Sequence, residues 1–281
     1  MYEFTLRDGN TLNADEIEQL KNLWMELFED SKDYLDAFFK VFLPNVELVI
    51  GADGSEIISV SYMVPLMTSS NEKCYYLYSG GVKEKMRGKH IFTEANKFII
   101  SVTGNAPLFG FTDSKMIEWY KTFLFPLIYS CKELNIVTSS NDKLTKHTLT
   151  KTSADIATIK KMREEYLTSL SYDYICYPDW FYYMLKEEKK LSGGVFDIIH
   201  IMDRDYYIIG RIEDNTLIIE ETNIPSDKVN VLGDELSYSY NVSNIIIKLP
   251  LSDSKSDKES SIVYAGQGST SGNLWAPFAL L

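Results

Sequence analysis

The stretch "SGGVKEKMRGKHIFTEANKFII", residues 79–100, places a basic, glycine-containing turn between an apolar run and an amphipathic segment. The aromatic and apolar residues of "YYLYSGGV" stop at Gly80-Gly81, and beyond Arg87-Gly88-Lys89-His90 the residues Ile91, Ala95, Phe98 and Ile99 recur at helical spacing. A helix N-terminus therefore falls near Arg87 to His90. Its first backbone N–H groups lack intrahelical acceptors and carry the positive end of the helix dipole, and Lys85, Arg87 and Lys89 add charge beside them. The chemistry this suits is the binding of a phosphate.

The chain has 281 residues and a formal charge of −12, with 28 Lys and Arg against 40 Asp and Glu. That balance argues against a nucleic-acid partner, whose phosphates call for a basic face. It suits a cationic or amine substrate, although acidity also serves solubility alone. No apolar run reaches the roughly 20 residues of a membrane span, and "MYEFTLRDGN" lacks the basic-then-apolar pattern of a secretory signal. A cytoplasmic protein with no membrane partner is expected. Cys74, Cys131 and Cys176 stand alone and far apart, which reads as reduced packing residues, with no metal site.

The elements that must position the turn follow from periodicity. Asn13 or Asp15 can cap a helix with the stripe Ile17, Leu20, Leu23, Trp24, Leu27 and Phe28, and a second helix runs from about Ser31 to Pro44. "VELVIGADGSEIISVSYMVPL" is a hairpin around Asp53-Gly54. After it come the strand "CYYLYSGGV", the turn and helix, a strand in "APLFGFT", a helix in "SKMIEWYKTFL" and a strand in "LIYSCKELNIV". The order α-α-β-β-β-α-β-α-β makes an α/β mixed sheet. Residues 138–155 are polar and read as a linker or loop. Beyond them lie a helix from Ile156, a helix opened by Pro178, the strands "GVFDIIHIM", "DYYIIGRI" and "NTLIIEET", a helix from Asp227, and the strands "NIIIKLP", "SIVYAG" and "LWAPFALL". The second half loosely repeats the first in shape.

The turn resembles the acetyl-CoA motif of the GNAT acyltransferases, Q/R-x-x-G-x-G/A, aligned on Lys85-Met86-Arg87-Gly88-Lys89-His90. A second match, "DSKMIEWYKTFLFP", resembles the family's N-x-x-x-x-x-F-Y-x-x-x-G-F segment, with Trp119-Tyr120 as the aromatic pair and Phe123 and Phe125 at its end. The resemblance spans about residues 15–135, and in its order the whole chain is similar to tandem-GNAT proteins. It implies a GNAT-like mixed, mostly antiparallel sheet flanked by helices in residues 1–140, followed by a smaller, diverged GNAT-like α/β domain in 151–281. It further implies acetyl-CoA as acyl donor, with its pyrophosphate on the backbone of Arg87 to Ile91 and with Val82, Lys85, Arg87, Gly88, Lys89, His90 and Ile91 as cofactor-binding residues.

The same resemblance assigns the oxyanion to the N–H of Val82 and protonation of the departing thiolate to Tyr120. The acceptor is then a small-molecule or peptide amine. Two residues depart from the pattern: His90 replaces Gly or Ala, and Leu124 replaces the Gly before Phe125. A catalytically silent CoA-binding or scaffold protein is the alternative. Glu47, Glu56, Glu72, Tyr78, Ser79 and the C-terminal carboxylate of Leu281 are open candidates around the acceptor. "KLSGGVFDII" offers no second R-G-x-G turn, so the second half is expected to bind no CoA.

Overall fold

Asn13 starts the first helix, α1 (Ala14–Leu27): its side chain accepts the Glu16 N–H at 3.0 Å, and the Glu16 carboxylate accepts the Asn13 N–H at 2.8 Å. This reciprocal cap satisfies two of the donors that a helix start exposes. Ser31 caps α2 (Lys32–Ala37) through the Tyr34 N–H, at 3.2 Å. The continuous helix expected to Pro44 instead loosens into a π-turn at Phe38–Phe42 and a 3-10 turn at Leu43–Asn45, where Pro44 has no N–H to offer. These features belong to a computed structural model, which describes residues 2–104, 106–111, 127–137, 149–170, 173–249, 259–265 and 274–275.

The chain forms two compact units, one of residues 1–129, 175–180 and 261–270, the other of 130–174, 181–260 and 271–281. In the first, β2 (Glu47–Asp53) and β3 (Glu56–Thr68) make the hairpin, with Gly54 at φ 62° in its turn. The sheet runs β1 (Glu3–Asp8), β2, β3, β4 (Lys73–Val82), β5 (Leu108–Phe111) and β13 (Glu259–Ala265). β4 and β5 are parallel and the other pairs antiparallel. β1 has no counterpart in the sequence reading, and β13, "SIVYA", pairs with β5, although its place in the sequence is in the second half.

Alternation along the strands gives this sheet two different faces. Val49, Met63, Tyr75 and Leu108 pack under α3 (Ile91–Thr103) with Ile99. Tyr62, Tyr76 and Tyr78 point the other way, into an aromatic group with Trp24 of α1 and Phe38 and Phe42 after α2, at centroid separations of 4.5–5.9 Å for its closest pairs.

The second unit repeats this order. Its sheet is β6 (Leu127–Val137), β12 (Asn244–Leu249), β11 (Thr216–Thr222), β10 (Arg204–Glu213), β9 (Val195–Ile201) and β7 (Thr150–Ser153), again with one parallel pair, β11 with β12. β7 lies inside the stretch read as a linker, because its pairing with β9 is long-range and leaves no local pattern in "TKTS". Against one face α6 (Ser226–Tyr240) buries Leu232 and Leu236 with Ile199, Ile208, Leu217, Ile219, Ile245 and Ile247. From the opposite side, α4 (Ile156–Ser169) and α5 (Asp179–Ser192) contribute buried charges: Arg163 Nε stands 2.5 Å from Glu221, and Lys189 Nζ 2.8 Å from Glu220.

Candidate functional site

Strand β4 is held along its whole length on one side and for a short part on the other. β3 pairs with it from Lys73 to Val82, whereas its registered pairing with β5 is confined to Tyr75↔Leu108 and Tyr76↔Phe109. Among the described residues, the edge from Ser79 to Val82 meets no strand on the β5 side. Burial follows the same division: Cys74 to Tyr76 are buried, Leu77 to Gly81 half-buried. Such an edge offers backbone N–H and C=O groups in the alternating directions that an extended amide-containing ligand can match.

A bulge falls where this edge begins. Tyr62 faces Ser79 and Met63 faces Leu77, which leaves Tyr78 as the extra residue of β4. Its ring lies 5.7 Å from Phe38 at an interplanar angle of 18° and 5.0 Å from Phe42, and its hydroxyl forms a hydrogen bond with that of Tyr34. Trp24 completes the surroundings and donates its indole N–H to Asp30 at 2.9 Å.

At its far end β4 leads into the basic turn. Val82, Met86 and Ile91 are buried together on Ile58, so the loop is anchored at both ends and in its middle. Between these anchors Gly88 has φ 76° and His90 φ 60°. A Cβ added at Gly88 would meet nothing within 4 Å, so the left-handed backbone, and no crowding by the protein, calls for glycine there. Gly81 is different: a Cβ would stand 2.5 Å from Leu27, so its absence lets α1 close on β4. α3 then starts at Ile91 with no side-chain cap, unlike α1 and α2, and its first N–H groups are left to another acceptor.

The sequence-derived residues fall along this path. Val82 ends the strand; Lys85, Arg87, Gly88, Lys89 and His90 are exposed on the turn; Ile91 is buried as the first residue of α3. Lys85 does not project a free charge, because its Nζ lies 2.7 Å from Glu56, which also holds Lys83 at 2.9 Å. The hydrogen bonds from Lys85 and then Lys83 hold the Glu56 carboxyl at about 2. Among the described residues Arg87 and Lys89 form no ion pair.

Of the carboxylates considered for the acceptor side, Glu56 is bound to the two lysines. Glu47 faces Lys73 and Tyr75, both at 3.4 Å, and Tyr75 lies on the α3 face of the sheet. Glu72 lies in the turn before β4, with its N–H donated to Thr68 Oγ1. Tyr120, the neighbouring Trp119, Phe123 and Phe125, and Leu281 lie outside the described residues. The Tyr34–Tyr78 pair has no short-range signature in the sequence, since 44 positions separate its members and the bulge depends on pairing.

The equivalent place in the second unit is built differently. β11 carries the same kind of bulge: Ile209 faces Glu221 and Gly210 faces Ile219, so Glu220 is the extra residue. Here the strand stays buried from Ile219 to Thr222, and Glu220 bonds Lys189 and Arg211. The connection to the next helix is residues 223–225, against 83–90 in the first unit. It includes Pro225, which has no N–H, while the Asn223 side chain accepts the Tyr207 N–H and Thr222 Oγ1 accepts that of Ile224. This turn is shorter and its Asn223 and Thr222 side chains accept N–H groups of the chain, although α6, like α3, starts with no side-chain cap.

Comparison with solved structures follows this geometry. A conserved protein of unknown function from Enterococcus faecalis V583, described as a probable N-acyltransferase, superposes with a TM-score of 0.66 at 13% identity, over 95% of this chain and 71% of its own. A GCN5-related N-acetyltransferase from Anabaena variabilis gives 0.61 at 13% identity over 94% and 71%, and one from Kribbella flavida 0.58 at 10% over 94% and 70%. The chain has the GNAT fold. No protein-family model and no curated protein matches the sequence. The sequence reading placed a helix N-terminus near Arg87 to His90, and α3 starts at Ile91. No helix among the described residues is long and apolar enough to cross a membrane.

Proposed function

We propose that the protein transfers an acetyl group from acetyl-CoA to an amine. The observation that carries this reading is the continuity between the open Ser79–Val82 edge and the uncapped start of α3. The edge suits the amides of a pantetheine arm, and the turn suits the pyrophosphate. In this reading the backbone of Arg87 to Ile91 binds the phosphates, with Arg87 and Lys89 supplying charge, and the Val82 N–H faces the thioester oxygen. Lys85 acts through its pairing with Glu56, holding the turn against the start of β3. Tyr120 protonates the leaving thiolate.

Calorimetry with acetyl-CoA, followed by thiol release with polyamines, aminoglycosides, peptide N-termini and lysine side chains, tests the reading. Saturable acetyl-CoA binding and amine-dependent thiol release are expected. Tyr120→Phe should leave binding intact and lower turnover by about 10²–10⁴, the usual worth of a positioned general acid. Binding without release for every amine would favour a silent CoA-binding protein, and no binding would remove the proposal.

A further inference from the structure

Transfer to an amine also requires that the nitrogen lose a proton as the C–N bond forms. We propose that Tyr78, backed by Tyr34, is the group that takes it; this assignment rests on the transferase reading above. Three observations converge on the pair. The bulge makes Tyr78 the extra residue of β4, immediately before the Ser79–Val82 edge beside which a thioester would lie. Its hydroxyl is hydrogen-bonded to that of Tyr34, which lies in α2. Of the carboxylates weighed for this role, Glu56 is engaged with Lys83 and Lys85, and Glu47 with Lys73 and Tyr75.

The proton path balances without an ionised tyrosine at rest. As the amine lone pair attacks the carbonyl carbon, its N–H proton passes to Tyr78 Oη and the Tyr78 proton passes to solvent at the half-buried strand, while the buried Tyr34 hydroxyl holds that of Tyr78 in place. The Tyr78 hydroxyl gains one proton and gives one up. Collapse of the tetrahedral intermediate then breaks the C–S bond, and the thiolate receives its proton from Tyr120 in the reading above. The rings of Trp24, Phe38 and Phe42, themselves buried, fix the orientation of Tyr78.

Steady-state kinetics on Tyr78→Phe, Tyr34→Phe and the double variant tests the assignment, with Tyr75→Phe, on the opposite face, as a packing control. Tyr78→Phe should lower kcat about 10²-fold with the KM for acetyl-CoA unchanged and with a smaller solvent deuterium effect on kcat. Tyr34→Phe should fall less, and the double variant should match Tyr78→Phe alone, because the pair acts as one unit. Wild-type turnover in Tyr78→Phe, or losses confined to melting temperature, overturns the assignment while leaving the transferase reading standing. A wild-type protein that releases thiol with no amine overturns both.

Discussion

His90 is the residue at which this chain departs most from the pattern it resembles, and its backbone explains what the departure costs. It caps α3 from the left-handed region, φ 60°, where a side chain is disfavoured by roughly 1 kcal/mol. Its imidazole is exposed beside the first N–H groups of α3. His90→Gly removes the strain and the side chain together. Melting temperature is predicted to hold or rise by a degree or two, and the Kd for acetyl-CoA measured by calorimetry to decrease. Weaker binding in that variant would mean that the imidazole contacts a phosphate. Glycine at position 88 was readable from the motif, whereas the need for it, φ 76° with open space at Cβ, came from the backbone.

At the scale of elements, β4 and β11 show how one arrangement can hold two kinds of interior. Both are bulged strands, parallel to the next strand and followed by a helix. The bulge of β4 carries a tyrosine into an aromatic group; that of β11 carries Glu220 into a buried ion network with Lys189 and Arg211. Next to it Arg163 and Glu221, both 1% exposed, join α4 to β11, and Tyr207 donates to the same carboxylate at 3.3 Å. Breaking such a pair from one side leaves a buried charge uncompensated. Arg163→Met is therefore predicted to cost about 3–5 kcal/mol in urea unfolding, and Arg163→Met with Glu221→Leu to recover most of it. Equal stabilities for the single and double variants would show that the carboxylate finds another partner.

For the molecule as a whole, two carboxyls pull stability in opposite directions with pH. Burial pushes Glu188 up to about 7, partly opposed by Lys189. Its native pKa lies above the unfolded value of 4.5, so the native state binds more protons between those values. That contribution is complete below about pH 4.5 and is lost as pH rises to 7. Glu56, held at about 2 by Lys85 and Lys83, contributes above pH 4.5 and loses that contribution as pH falls toward 2. Thermal melts from pH 4.5 to 8 are predicted to show Glu188→Gln with a flatter profile than wild type and a higher melting temperature above pH 7. Identical profiles for the two proteins would place the pH dependence elsewhere.

The sequence by itself determined what depends on neighbours in the chain. The caps at Asn13 and Ser31, the Asp53-Gly54 hairpin, the helix start after Arg87-Gly88-Lys89-His90 and the helix after Pro178 are local patterns, and local hydrogen bonding and backbone preference decide them. Tertiary structure decided what depends on pairing across long separations. Strand β1, β7 in a stretch that reads as linker, β13 beside β5, the bulge at Tyr78 and the Glu56 bridge between Lys83 and Lys85 each join residues whose own segments carry no sign of the partner. A strand slipped in register keeps its backbone hydrogen bonds but presents other side chains, and the burial pattern and turns of the folded sheet choose among the registers. That is why the turn into α3 could be read from six residues of sequence, and the Tyr34–Tyr78 pair from none.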